Sequence, residues 1–206
     1  MQAMLVSKLG DRLIDDLALV IALHPKASLK EIAEMAGVSK ATLYRFAGSR
    51  ESMISKLECH CKTVFEHAVA DEELAHGEPI EAMQALISNY LTHNELLLYI
   101  TLHCREDQIV STSDTGSWKH YWSKLDAFFL RCQLLGIIRV DIPAPLCCEM
   151  FINIILAVTQ AVRTGRTAAQ ESAALVEKFL MHGASASSAC LHTGSAAPLR
   201  TDVHRE

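Results

Sequence analysis

Between Pro25 and Arg50 the chain is punctuated so densely that few folds can accommodate it. Ser28 is followed three residues later by Glu31, and this spacing predicts a capping box. The hydroxyl serves one backbone N–H and the carboxylate serves another. The box opens a short helix bearing Leu29, Ile32, Ala33 and Met35, which stops at Gly37, a residue suited to the left-handed position after a helix end. Ser39 caps a second short helix running from Lys40 to about Phe46, Gly48 breaks it, and Ser49 caps the helix after that. Two short helices joined by a glycine turn form a helix-turn-helix.

The remainder reads as helix as well. Val6, Leu9, Leu13, Leu17, Val20 and Ile21 recur at helical spacing with charges between them, and His24-Pro25 ends this first helix. A long fourth helix carries Met53 or Ile54, Leu57, Cys61, Val64, Phe65 and Ala68. Pro79, well placed at a first helical position, opens a fifth through Leu91, and a sixth runs from Glu95 to about Cys104. Residues 105–116 are polar and predict a loop, and a seventh helix spans Ser117 to Leu135. Leu146 to about Arg163 is the eighth, and Thr167 with Gln170 predicts a second capping box opening a ninth. No segment carries a strand pattern. The expectation is an all-α chain of about nine helices: a helix-turn-helix domain over residues 1–50, a helical domain over 51–183, and a mobile Ala/Ser/Gly-rich tail over 184–206.

Half of the 206 residues are hydrophobic, which supplies a sizeable core, but the formal net charge is −5. Nucleic-acid binding must therefore rest on a local basic surface. Val38 to Arg50 provides one, with Lys40, Arg45 and Arg50 and no acid. Thr42 offers a methyl and a hydroxyl to base edges, Tyr44 a phenol long enough to reach phosphate, and the helices capped by Ser39 and Ser49 present free N–H groups.

The seven cysteines are odd in number and irregular in spacing, which fits a reducing cytoplasm better than a disulfide framework. No secretory leader pattern is seen, and the apolar stretch Leu146 to Val158 is shorter than a membrane span and carries Glu149 and Asn153. The expectation is a cytoplasmic protein without a membrane partner. Cys59-His60-Cys61 does not predict a metal site, because residues two apart on a helix point to different faces. No phosphate loop, nucleophile elbow or paired-carboxylate arrangement appears, so neither a cofactor nor an enzyme is expected.

The run from Ile32 to Arg45 resembles the DNA-binding signature of the TetR/AcrR regulators, and Ser49-Arg50-Glu51 resembles the family element that begins its fourth helix. The resemblance implies that Lys40, Thr42 and Arg45 face the major groove of an operator, that Ser28, Ser39, Tyr44 and Arg50 hold phosphates, and that Val38 and Leu43 are packing residues. The sequence departs from the pattern at Phe46-Ala47, at the Leu23-His24-Pro25 end of helix one, and in having no cation from Met1 to Ser7.

Helix eight is apolar nearly all round and must be covered all round. Met150, Phe151, Ile154, Ile155 and Val158, with Leu175 and Phe179 of the last helix, are candidates for a homodimer interface, the arrangement the resemblance also implies. Phe65, Tyr90, Tyr99, His103, Trp118, Trp122 and Phe129 are candidates to line an effector cavity, with an aromatic character suited to a small apolar or cationic molecule. The implied function is a repressor released from its operator when that molecule tilts helix four, acting on an efflux or catabolic gene. A thiol switch centred on Cys59, or control by a protein partner, are the alternatives on the same scaffold.

Overall fold

The computed structural model describes residues 2–70, 72–103 and 118–184, with side chains from Arg12 to Gly183. Ten α-helices and one 3-10 turn account for most of these residues, and no β-sheet is present among them. In order they are α1 (Gln2–Leu23), α2 (Leu29–Met35), α3 (Lys40–Ala47), α4 (Arg50–Ala70), α5 (Glu72–His76), α6 (Pro79–Thr92), α7 (Asn94–His103), α8 (Lys119–Leu134), α9 (Ala144–Arg163) and α10 (Ser172–Ala184). The nine expected helices are all there. The single-turn α5 is an addition, wedged where Gly77 and Pro79 had read only as punctuation.

Helix α1 buries Leu17, Ala18 and Ile21 and packs along α7 and against α2. Helix α4 is the long strut of the molecule. Its buried residues Met53, Leu57, Cys61, Phe65 and Val69 step by four, so one continuous ridge meets α6, α7 and α8. Behind it, α9 packs between α8 and α10. Two polar side chains hold the irregular parts. Arg131 of α8 donates to the carbonyls of Leu74 (3.1 Å) and Gly77, fastening α5 and the turn after it. The buried Gln133 donates to the carbonyls of Arg139 (2.9 Å) and Ile142 (2.6 Å), closing the α8–α9 connection.

The second expected capping box does not form. Thr167 donates to the Glu171 carboxylate at 3.2 Å, a 3-10 turn occupies Ala169–Glu171, and α10 begins only at Ser172. Thr–x–x–Gln satisfies the spacing, but the 3-10 turn displaces the helix start by several residues. Helix α9 is long and apolar enough to cross a membrane by length and composition. Part of its apolar surface is taken up within the chain, where Cys147, Cys148, Phe151, Ile152, Ile155 and Val158 are buried. The expected loop 105–116, Cys104 and Ser117 at its borders, and the tail from residue 185 lie outside the described residues.

Candidate nucleic-acid interface and sensor core

The α2–turn–α3 unit is built from local hydrogen bonds. The Ser28 hydroxyl donates to Glu31 at 2.7 Å, the Ser28 N–H donates to the same carboxylate at 2.8 Å, and the Glu31 N–H returns to the hydroxyl at 3.4 Å. These donors hold the Glu31 carboxyl below its ordinary range. At the far end of α2, Gly37 takes φ +67°, and the Val38 N–H reaches back to the Ala33 carbonyl at 2.9 Å. This closes the helix with a left-handed residue that a side chain would strain. Helix α3 then starts on Ser39, whose hydroxyl accepts the Thr42 N–H at 3.0 Å and shares a hydrogen bond with the Thr42 hydroxyl at 2.8 Å.

Leu43 is fully buried and Val38 half-buried against the core, so the opposite side of α3 faces solvent. That side carries Lys40, Tyr44 and Arg45, with Thr42 half-buried beside them. Tyr44 is 45% exposed, and the Lys40 ammonium lies 5.5 Å from the centre of its ring. Arg45 has no ion-pair partner among the described residues. An exposed basic helix with a free N-terminus has the chemistry to enter a major groove and to hold phosphates at its rim.

Arg50 also has a partner within the chain. It is half-buried, and its guanidinium donates to the Pro25 carbonyl at 2.5 Å, inside the α1–α2 turn. Lys56 was missed altogether. Its ammonium donates to the Phe46 carbonyl and sits 5.1 Å from the centre of the Phe46 ring. The signal was faint: a lysine ten residues beyond a helix end gives no local pattern. This is also how the unusual Phe46-Ala47 hinge is packed, with Ala47 buried and Phe46 covered by Lys56.

In the larger helical part, five of the seven candidate cavity residues join one aromatic cluster. Phe65 lies 5.3 Å from Tyr90 and 6.3 Å from Tyr121; Tyr121 contacts Trp118 and Trp122 at 5.5 and 5.2 Å; Phe151 joins Tyr90 to Phe129 at 5.3 and 5.7 Å. Tyr99 and His103 form a separate pair on α7, with Tyr99 buried and His103 exposed. At the centre the Tyr90 and Tyr121 hydroxyls share a 2.5 Å hydrogen bond. Burial raises both phenols well above their ordinary range, so they stay protonated. Tyr121 and Phe151 were not among the cavity candidates. Phe128, edge-on to Phe129 at 5.7 Å, leads from the cluster to a cleft of about 340 Å³ lined also by Val69, Leu74, Lys124 and Arg131.

The expected interface residues divide. Phe151, Ile155 and Val158 are buried within the chain, on the side of α9 that packs in the core with α8 and α6. Met150, 50% exposed, and the half-buried Ile154 lie on the outer face of α9 with the exposed Leu146. On α10, Phe179 is 61% exposed and Leu175 half-buried. Of the cysteines, Cys59 is exposed, whereas burial pushes the Cys132 thiol up to about 11 and raises Cys147 and Cys148 also.

Comparison with known proteins agrees with this architecture. Residues 25–57 match the model of the bacterial regulatory proteins of the tetR family. The chain is 44% identical over 175 residues to the HTH-type transcriptional regulator NfxB of Pseudomonas aeruginosa, covering 85% of this chain and 94% of that one. Among solved structures it resembles the TetR-like regulator LfrR from Mycobacterium smegmatis in complex with proflavine, with a TM-score of 0.55 at 21% identity over 84% of this chain and 94% of that one. It also resembles a transcriptional regulator from Saccharomonospora viridis in complex with choline, with a TM-score of 0.54 at 16% identity over 86% and 98%. With a basic reading helix presented to solvent and a relative at this identity spanning nearly its whole length, the chain belongs to the tetR family and is a DNA-binding transcription regulator, not an enzyme.

Proposed function

We propose that this regulator is a cytoplasmic homodimeric repressor that leaves its operator when a small apolar or cationic molecule enters the helical domain. The single observation that carries the DNA half of this reading is the outer face of α3. In this reading the exposed Lys40 and Arg45 and the half-buried Thr42 meet base edges, and the exposed Ser28, Ser39 and Tyr44 hold phosphates. Arg50 stands apart from that set, because its guanidinium already serves Pro25.

The dimer half rests on Met150, Ile154, Leu175 and Phe179, to which exposure adds Leu146. Helices α9 and α10 pack side by side, so two copies meeting through this face form a four-helix contact about a two-fold axis. The effector half rests on the ring cluster, whose faces attract cations and whose hydroxyl pair offers one polar handle. The adjoining cleft has the size of a small-molecule site. A molecule wedged there would push on α4 through Val69, and a tilt of α4 alters the spacing of two reading helices across a dimer.

The test begins with a duplex selected by the purified protein from a randomised pool, titrated by fluorescence anisotropy. Arg45→Ala should lose at least tenfold in preference over an unrelated duplex, as expected when a base-edge contact of about 1–3 kcal/mol is removed. Equal losses on both duplexes would take Arg45 off the base edges. Met150→Asp combined with Phe179→Asp should convert the dimer to a monomer in sedimentation. An unchanged dimer would move the interface elsewhere.

A further inference from the structure

Helix α4 carries two cations in its first two turns, Arg50 and Lys56, and each donates to a main-chain carbonyl of the reading unit. Phe46 lies in the last turn of α3, where carbonyls have no partner within the helix. Lys56 supplies that partner, and a cation at a helix C-terminus is also favoured by the aligned peptide dipoles. Its ammonium is held a second time, over the ring of the same residue. Arg50 grips the other side of the unit, at the Pro25 carbonyl between α1 and α2. The two attachment points therefore bracket the helix-turn-helix.

The far half of the same helix is anchored elsewhere. Phe65 is fully buried against Tyr90 and Tyr121, nine residues or about 14 Å of helix beyond Lys56. A rigid rod fixed at one end in the ring cluster and at the other to two carbonyls moves the reading unit with it.

We propose that Lys56 and Arg50 are positioning residues that fix the angle of α3 on α4, and that they are not phosphate ligands. This rests on the DNA-binding reading and adds to it the contacts through which α4 sets the reading helix. A carbonyl bond uses only part of the donor set of either side chain, so the two roles are told apart by what removing the side chain does to binding and to its salt dependence.

The experiment uses full-length Lys56→Met, Lys56→Arg and Arg50→Met, with a duplex selected by the wild-type protein from a randomised pool and an unrelated duplex of equal length. Methionine keeps the apolar stem over Phe46 and removes the donor, while arginine retains a donor. Lys56→Met and Arg50→Met should each bind the selected duplex roughly tenfold more weakly. The unrelated duplex should be bound as before, and the slope of log affinity against log salt should not change. Lys56→Arg should recover most of the loss, and helical circular dichroism should show all variants folded.

A fall in the salt slope of about 0.9 per variant, with both duplexes weakened alike, would make these residues phosphate contacts and overturn the proposal. Unchanged binding in both methionine variants would overturn it as well. Failure of the wild-type protein to select any sequence would instead remove the DNA-binding reading beneath it.

Discussion

The reading unit and the aromatic core use hydrogen bonds in opposite ways. In the former, the Ser28–Glu31 and Ser39–Thr42 bonds span three residues each and lie open to water. In the latter, the Tyr90–Tyr121 bond spans thirty-one residues and is buried among Phe65, Trp118 and Phe151. The first set fixes local backbone geometry and leaves a basic face unpartnered, since its partner lies outside the protein. The second set ties together helices distant in sequence and pairs two buried hydroxyls with each other. The contacts that shape the reading helix are thus local, and those that hold the core are distant in sequence.

The comparison breaks hardest at Phe151. Its truncation to alanine removes a fully buried ring that touches Tyr90 and Phe129, and should cost about 3–5 kcal/mol in urea unfolding. A loss below about 1 kcal/mol would place Phe151 outside the core and return it to the intersubunit face. Tyr90→Phe probes the polar heart of the same region at smaller cost. It leaves the buried Tyr121 hydroxyl without its partner and should destabilise by about 1–3 kcal/mol, much of it recovered in the Tyr90→Phe, Tyr121→Phe double variant. The pH dependence has a definite sign. Because the folded phenols titrate above their unfolded value, their contribution is complete below about pH 10 and is lost as pH rises further. The double variant should lack that alkaline loss, and an identical alkaline profile would show that the pair does not titrate with unfolding.

The smallest effect belongs to the reading unit. Ser28→Ala removes the capping box and should lower the melting temperature by about 2–4 °C. Glu31 titrates below its ordinary value in the folded chain, so its contribution is present above its unfolded value and lost as pH falls through the folded one. The gap between wild type and Ser28→Ala should therefore close in acid. A gap that stayed constant down to pH 2 would show that the serine acts without its carboxylate.

These differences also explain which features could be read in advance. The Ser28 box, the Gly37 turn and the Ser39 cap are consequences of neighbours three to five residues apart, and a linear pattern contains them, whereas the burial of Leu43 was implied by the family resemblance. The order of the nine helices followed from apolar spacing in the same way. Thr167 to Gln170 had the correct spacing and still failed, because the turn before α10 wound as a 3-10 helix. Helix α9 shows a different limit. It is apolar on nearly every side, so periodicity could not say which of Met150, Phe151, Ile154, Ile155 and Val158 faced inward; the packing of α8 and α10 decided it. The tail beyond residue 184 and the 105–116 loop fall outside this comparison.

Within this chain, sequence alone determined the helix-turn-helix and the all-helical character, because each depends on interactions across one or two turns. Tertiary structure alone decided that Arg50 serves Pro25, that Lys56 closes α3, that Tyr121 and Phe151 complete the aromatic cluster, and which stripe of α9 the chain leaves uncovered by its own core. Those outcomes depend on which groups the folded chain brings within a few ångströms of one another, and the distance along the chain carries almost no information about that.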